Sequence, residues 1–168
     1  MQLDPDLQLL KEQLFDICSL QILNYQVDKE CVEYSGSAYQ IEELKIIGRN
    51  AKKTPIKDGF FVTLWKRNGD GPIQPIEGTE AFDYSIITAR EEGHCGVFIF
   101  PKFALINHGV LKSSSKPGKR AFRIYPPWEE TNSKLANKSQ KWQSEYFLEL
   151  NSEEKLDCQL VKNLLNFR

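Results

Sequence analysis

The sequence is poor in metal-ligating and redox motifs: it has two histidines, His94 and His108, and four scattered cysteines, Cys18, Cys31, Cys95 and Cys158, with no Cys-x-x-Cys pair. A closed zinc site needs four such ligands at short spacing, so no metal site is expected. His94 next to Cys95 does not supply one, because adjacent strand residues point to opposite faces. No apolar run reaches the roughly 18 residues of a membrane span, so no membrane association is expected. The start, MQLDPDLQLLKEQ, lacks a basic head followed by an apolar stretch, which predicts no secretory signal and a cytoplasmic protein. In that reducing compartment the four cysteines are expected as buried or half-buried thiols, not disulfides. There is no G-x-x-x-x-G-K-[ST] loop to cradle nucleotide phosphates and no G-x-S-x-G elbow to present a nucleophile. Nothing places Cys95 or Cys158 opposite a histidine, and no cofactor is expected. The net charge of −1 excludes a protein that holds polyanions by bulk charge alone.

What is present is ordinary globular material, 40% apolar and 27% charged over 168 residues. That length predicts one domain, able to bury roughly 70% of its unfolded surface without a metal or disulfide. The charge is unevenly placed. Lys45, Arg49, Lys52, Lys53, Lys57, Lys66 and Arg67 face one acid, Asp58, and Lys112, Lys116, Lys119, Arg120 and Arg123 follow with none between them. Acids gather towards the two ends. Such a chain has a sided surface.

The first segment predicts a helix capped by Asp4, with Pro5 at its first position and Leu7, Leu10, Leu14 and Ile17 on one stripe. After the turn Tyr34-Ser35-Gly36-Ser37 the pattern is strand-like, with strands expected at Gly59–Arg67, Phe82–Arg90, Gly96–Phe100 and Lys119–Tyr125. Glu91-Glu92-Gly93 reads as a hairpin turn, and Pro101–Asn107 as a short helical turn ended by Gly109. Two closing helices are expected. Leu135, Ser139, Trp142, Tyr146 and Leu150 form the stripe of the first; Asn151 caps the second, with Leu156, Leu160 and Leu164 repeating along it. Strands between terminal helices predict an α+β domain: a strongly curved, mostly antiparallel sheet or pseudobarrel of about 6–8 strands.

Alternation turns two of these strands into surfaces. In Gly59–Arg67, Phe60, Val62 and Leu64 should face the core, leaving Phe61, Thr63, Trp65 and Arg67 outside. In Lys119–Tyr125, Phe122 and Ile124 point inward, while Lys119, Ala121, Arg123 and Tyr125 point out. Rings interleaved with cations suit a polyanion of flat bases: the cations neutralise phosphates and the rings stack on bases. The same rings packed under a terminal helix, with cations fringing a solvated edge, would explain the pattern equally well. Lys52, Thr54 and Lys57 around Pro55, and Lys116 to Arg120 around Gly118, form two basic loops suited to phosphate oxygens.

The run RNAKKTPIKDGFFVTLWKR, Arg49 to Arg67, resembles the R-x-A-K-x-T-P-x-K-x-G-x-F-V-x-x-W-x-R signature of the bacterial MepB family. Phe98 to Lys102, Lys119 to Trp128 and Lys138 to Phe147 are similar to its later blocks, in the same order. Asp58 stands where a neutral residue is expected, and Lys53 at a variable position. The resemblance covers about 33–150 of a single domain, 1–168, and makes 151–168 an accessory C-terminal helix. It implies a fold like the DNA-binding pseudobarrels of restriction-enzyme effector domains and plant transcription factors. Arg49, Lys52, Lys57, Trp65, Arg67, Lys119, Arg120 and Arg123 would then line a basic cleft.

The expectation is therefore a non-catalytic nucleic-acid-binding protein, duplex DNA being favoured over RNA, with Thr54, Lys116 and Tyr125 added to those cleft residues. Two alternatives stay open. Glu33, Glu43 and Lys45 have the outline of an acid plus E-x-K that holds Mg²⁺ in nucleases. The basic face could instead hold a small anion or an acidic protein surface.

Overall fold

The computed structural model describes residues 2–150 and 154–166. Helix α1 (Pro5–Leu10) begins as its sequence dictates: the Asp4 carboxylate accepts from the backbone N–H of Asp6 and Leu7, and Pro5 takes the first position. The helix runs on through a π-helical turn at Lys11–Phe15. That wider turn shifts the apolar stripe. Leu7, Leu10 and Leu14 stay buried, whereas Ile17 is 58% exposed and Cys18 is buried in its place.

The strands are β1 (Ile22–Val27), β2 (Ser37–Ile41), β3 (Leu44–Asn50), β4 (Lys52–Lys53), β5 (Phe60–Thr63), β6 (Trp65–Arg67) and β7 (Ile73–Pro75). There follow β8 (Tyr84–Glu91), β9 (His94–Pro101), helix α2 (Lys102–Asn107), β10 (Ala121–Ile124), α3 (Lys134–Gln143), β11 (Phe147–Leu150) and α4 (Cys158–Leu164). The main sheet has the order β1-β2-β3-β8-β9-β11. Its neighbours are antiparallel except β3 and β8, which run parallel. The connection between that parallel pair contains β4 to β7. A second sheet is ordered β10-β5-β4, and β6 pairs with β7. The fold is the expected α+β and strand-rich, and the main sheet is open, not closed into a barrel.

Strict alternation divides the main sheet between two cores. Ile86, Val97 and Ile99 join Leu7, Leu10, Leu14, Val161 and Leu165 beneath the helices. Their neighbours Ile87, Phe98 and Phe100 share a core with Phe60, Val62, Phe122 and Ile124 of the second sheet and with Leu64, which follows β5. Each fully buried side chain of this size stabilises by about 1.5–3 kcal/mol.

Four expectations need correction. Phe147–Leu150 is not the end of a helix: Leu148 and Leu150 are buried, Glu149 is exposed, and the segment pairs with Cys95–Phe98 as an edge strand. Leu135, placed on that helix's stripe, is 76% exposed. Strand β1 was not anticipated, because a bulge at Leu23–Gln26 breaks its alternation. Cys18 and Cys158 are not thiols but a disulfide, with Cα atoms 5.3 Å apart. The fold lays α4 back against α1 and so joins residues that no local spacing relates; Cys31 and Cys95 are the buried thiols expected. Asp157 caps α4; the expected cap, Asn151, lies outside the described residues.

Candidate functional site

The second sheet turns one face to the core and the other outward. Its register sets Lys52 and Arg123 on either side of Phe61, across β4, β5 and β10. Directly paired residues share a face, so these three form one row. The Arg123 guanidinium lies 5.8 Å from the Phe61 ring centre, within cation–π range. Tyr34 meets the same ring edge-on at 6.0 Å, and Lys52 Nζ stands 5.0 Å from the centre of Tyr34. The next row is Thr63 and Ala121. Beyond it, Arg67 lies 5.5 Å over the half-buried Trp65. The result is a strip of rings and cations that crosses β4, β5 and β10 and continues onto β6.

Polar bonds hold the strip in place. Arg123 donates to the carbonyls of Asp58 and Gly59 at 2.9 and 3.5 Å, and the Asp58 carboxylate accepts from Asn132 N–H at 2.9 Å. The buried Glu129 carboxylate accepts from Gly59 N–H at 2.8 Å and pairs with Lys53. Gly59 has φ +83°, and a Cβ there would come 2.6 Å from the Tyr125 ring, so only glycine fits. The buried Gln143 amide donates to Arg123 C=O and accepts from Tyr125 N–H, at 2.9 and 2.8 Å, as a neighbouring strand would. Gln143 and Glu129 carry this support yet were not singled out by sequence.

The expected residues divide. Lys52, Trp65, Arg67, Arg123 and Tyr125 come to the second layer, with Thr54 and Lys57 in the loop leading into β5, where the Thr54 hydroxyl donates to Lys57 C=O at 3.4 Å. Lys119 and Arg120 are exposed at the start of β10, and Arg120 C=O accepts from Leu64 N–H at 2.9 Å. Their loop abuts the β6–β7 hairpin, since a Cβ on Gly118 would fall 2.8 Å from Pro75. Lys116 turns the other way and donates to Asn107 C=O. Arg49 is 4% exposed and does not reach the surface. It donates to the carbonyls of Gly48 and Thr63 at 2.8 and 3.3 Å, and its Nη2 lies 3.5 Å from the Asp28 carboxylate.

The nuclease outline is not assembled. Residue 33 lies before β2, whose first residue pairs with Gly48, while Glu43 and Lys45 sit where Ile41 meets Leu44, at the other end of the strands. Glu33 pairs with Lys52 at 3.6 Å, and the Asp83 carboxylate accepts from Lys45 N–H at 2.8 Å. Among the described residues no three His, Cys, Asp or Glu side chains could hold a metal ion. Burial pushes the Cys31 thiol up, with Arg49 opposing, and pushes the Cys95 thiol up as well. Both are therefore poor nucleophiles at neutral pH. The histidines stack on tryptophans, His94 on Trp128 at 4.6 Å and His108 on Trp142 at 4.0 Å.

These features define an α+β domain whose second sheet presents cations and rings. A protein-family profile described as MepB-like matches residues 28–149. The crystal structure of MepB superposes with a TM-score of 0.77 at 34% identity, covering 89% of this chain and 99% of that one. The chain belongs to the MepB-like family. A bacterial homing endonuclease superposes at a TM-score of 0.44 and 12% identity, over 83% of this chain and 90% of that one, too low to inform the reading. A search of curated proteins gives no match.

Proposed function

We propose that this protein binds nucleic acid, without catalysis, through the outward face of the β10-β5-β4 sheet. The observation that carries the reading is the Lys52–Phe61–Arg123 row with Tyr34 at its edge. Bases have π-faces that stack on exposed rings at ~1–3 kcal/mol each, while phosphates answer the flanking cations. Arg67, Lys119 and Arg120 extend the positive charge along the layer. DNA is the favoured ligand and the cytoplasm the expected location. No helix among the described residues is long and apolar enough to cross a membrane. Long-lived disulfides are rare in that compartment, so the Cys18–Cys158 bond is expected to open there.

Fluorescence anisotropy with a labelled 20-nucleotide strand and its duplex tests the reading. Phe61→Ala and Lys52→Gln together should weaken binding about tenfold or more, on the scale of one lost stack. A wild-type protein that binds neither probe at low salt ends the proposal.

A further inference from the structure

The basic segment is already engaged by carboxylates of its own chain. Asp28, Glu30 and Glu33 belong to one loop, between β1 and β2, and each meets a different cation. Asp28 pairs with Arg49 at 3.5 Å, Glu30 with Arg67 at 3.2 Å and Glu33 with Lys52 at 3.6 Å. The loop also contributes Tyr34 to the Phe61 ring. Its backbone is closed on itself: Cys31 C=O accepts from Gly36 N–H and Asp28 N–H donates to Gly36 C=O, both at 2.8 Å. Cys31 is buried beneath it, 3.6 Å from Arg49 Nη2. Arg49 is the buried root of this arrangement, and the half-exposed Asp28 carboxylate reaches down to it. The other two acids are at its surface, with Glu30 and Glu33 side chains 55% and 73% exposed.

We infer that this loop is a built-in competitor for the nucleic acid, the Glu30 and Glu33 carboxylates standing where backbone phosphates would meet Arg67 and Lys52. The inference rests on the proposed reading of the second sheet as the nucleic-acid face. A carboxylate and a phosphate oxygen satisfy the same guanidinium and ammonium donors. Because the loop backbone is internally bonded, no lid has to open; the two exposed side chains rotate aside as phosphates arrive. Surface pairs of this kind are weak, so a polyanion displaces them, but each displacement subtracts from affinity. The competitor therefore makes binding selective for dense, multiply charged ligands over single small anions.

Anisotropy with the 20-nucleotide strand and its duplex separates the inference from the reading beneath it. Three proteins are compared: wild type, Glu30→Gln with Glu33→Gln, and Glu12→Gln with Glu92→Gln. The last pair makes the same charge change on exposed acids belonging to α1's π-helical extension and the β8–β9 turn, outside the second sheet. The Glu30/Glu33 variant should bind about five- to tenfold tighter than wild type, with log K falling more steeply in log salt by about one to two. The Glu12/Glu92 variant should change less than about twofold at 0.15 M salt, where distant charges are screened. Wild-type binding with equal effects from both variants overturns the competitor while the nucleic-acid face stands. If neither wild type nor the Glu30/Glu33 variant binds, both fall.

Discussion

The two layers packed on the main sheet are held by different means. The helical layer rests on apolar contact and a covalent bond: Leu7, Leu10, Leu14, Val161 and Leu165 cover the sheet, and Cys18–Cys158 ties α4 to the end of the first helical segment. The second-sheet layer has an apolar inner face too, but it is also fixed by hydrogen bonds that Arg49, Arg123 and Gln143 donate and that Glu129 accepts. Apolar contact stabilises whatever its exact angle, whereas hydrogen bonds demand direction. The layer needing geometry is the one that presents rings and cations.

The largest expected effect strikes the polar root of that layer. Arg49→Ala should lose about 3–4 kcal/mol, since it strands the carbonyls of Gly48 and Thr63 and leaves a hole beneath the loop. Denaturant unfolding checks it; a loss under 1 kcal/mol, on the scale of ~0–1 for a surface pair, would make Arg49 dispensable. On the helical side, Cys158→Ser should cost about 2–3 kcal/mol in the absence of reductant. Reductant should bring wild type to the same value, and identical curves with and without it would break the contrast. Gly59→Ala should cost about 1–2 kcal/mol, from its left-handed backbone and the Tyr125 ring. It should lower nucleic-acid affinity as well, whereas Cys158→Ser should leave that affinity unchanged.

The smallest effect is a pH dependence. Burial, then nearby Lys116, holds His108 below its ordinary value on Trp142, Lys138 acting the same way and Glu145 opposing. A base with a depressed folded-state pKa contributes stability above its unfolded value and loses it as pH falls through the folded one. Melting temperatures measured from pH 7 down to pH 5 should fall more for wild type than for His108→Asn. Equal slopes would remove the histidine from the account.

The legible parts of the molecule were those governed by near neighbours. Asp4 and Pro5 start α1 as read, and Phe60, Val62 and Leu64 turn inward as alternation requires, each at most 1% exposed. The row of Lys52, Phe61 and Arg123 was half legible: the outward faces of Phe61 and Arg123 follow from alternation, whereas Lys52 reads as loop, and neither its pairing as β4 nor the register follows from sequence. What escaped depends on distant chain. Arg49 reads like its basic neighbours until the loop at 28–36 closes over it, and Phe147–Leu150 reads as helix until β9 offers an edge. The π-helical turn moved Ile17 off its stripe by a local widening that periodicity does not report.

The parallel pairing of β3 with β8 has a consequence for how the chain folds. Everything between those strands, residues 51–83, is the crossover that connects them, and it includes most of the ring-and-cation surface. Closing so long a connection costs entropy before its contacts repay it. The β8–β9 hairpin is local and can form early. The second sheet must wait, first for β3 to find β8 and then for β10 to return from beyond α2. The expected order is frame first and second sheet last, so the ring-and-cation face is the part a destabilised chain would lose while its main sheet still stood.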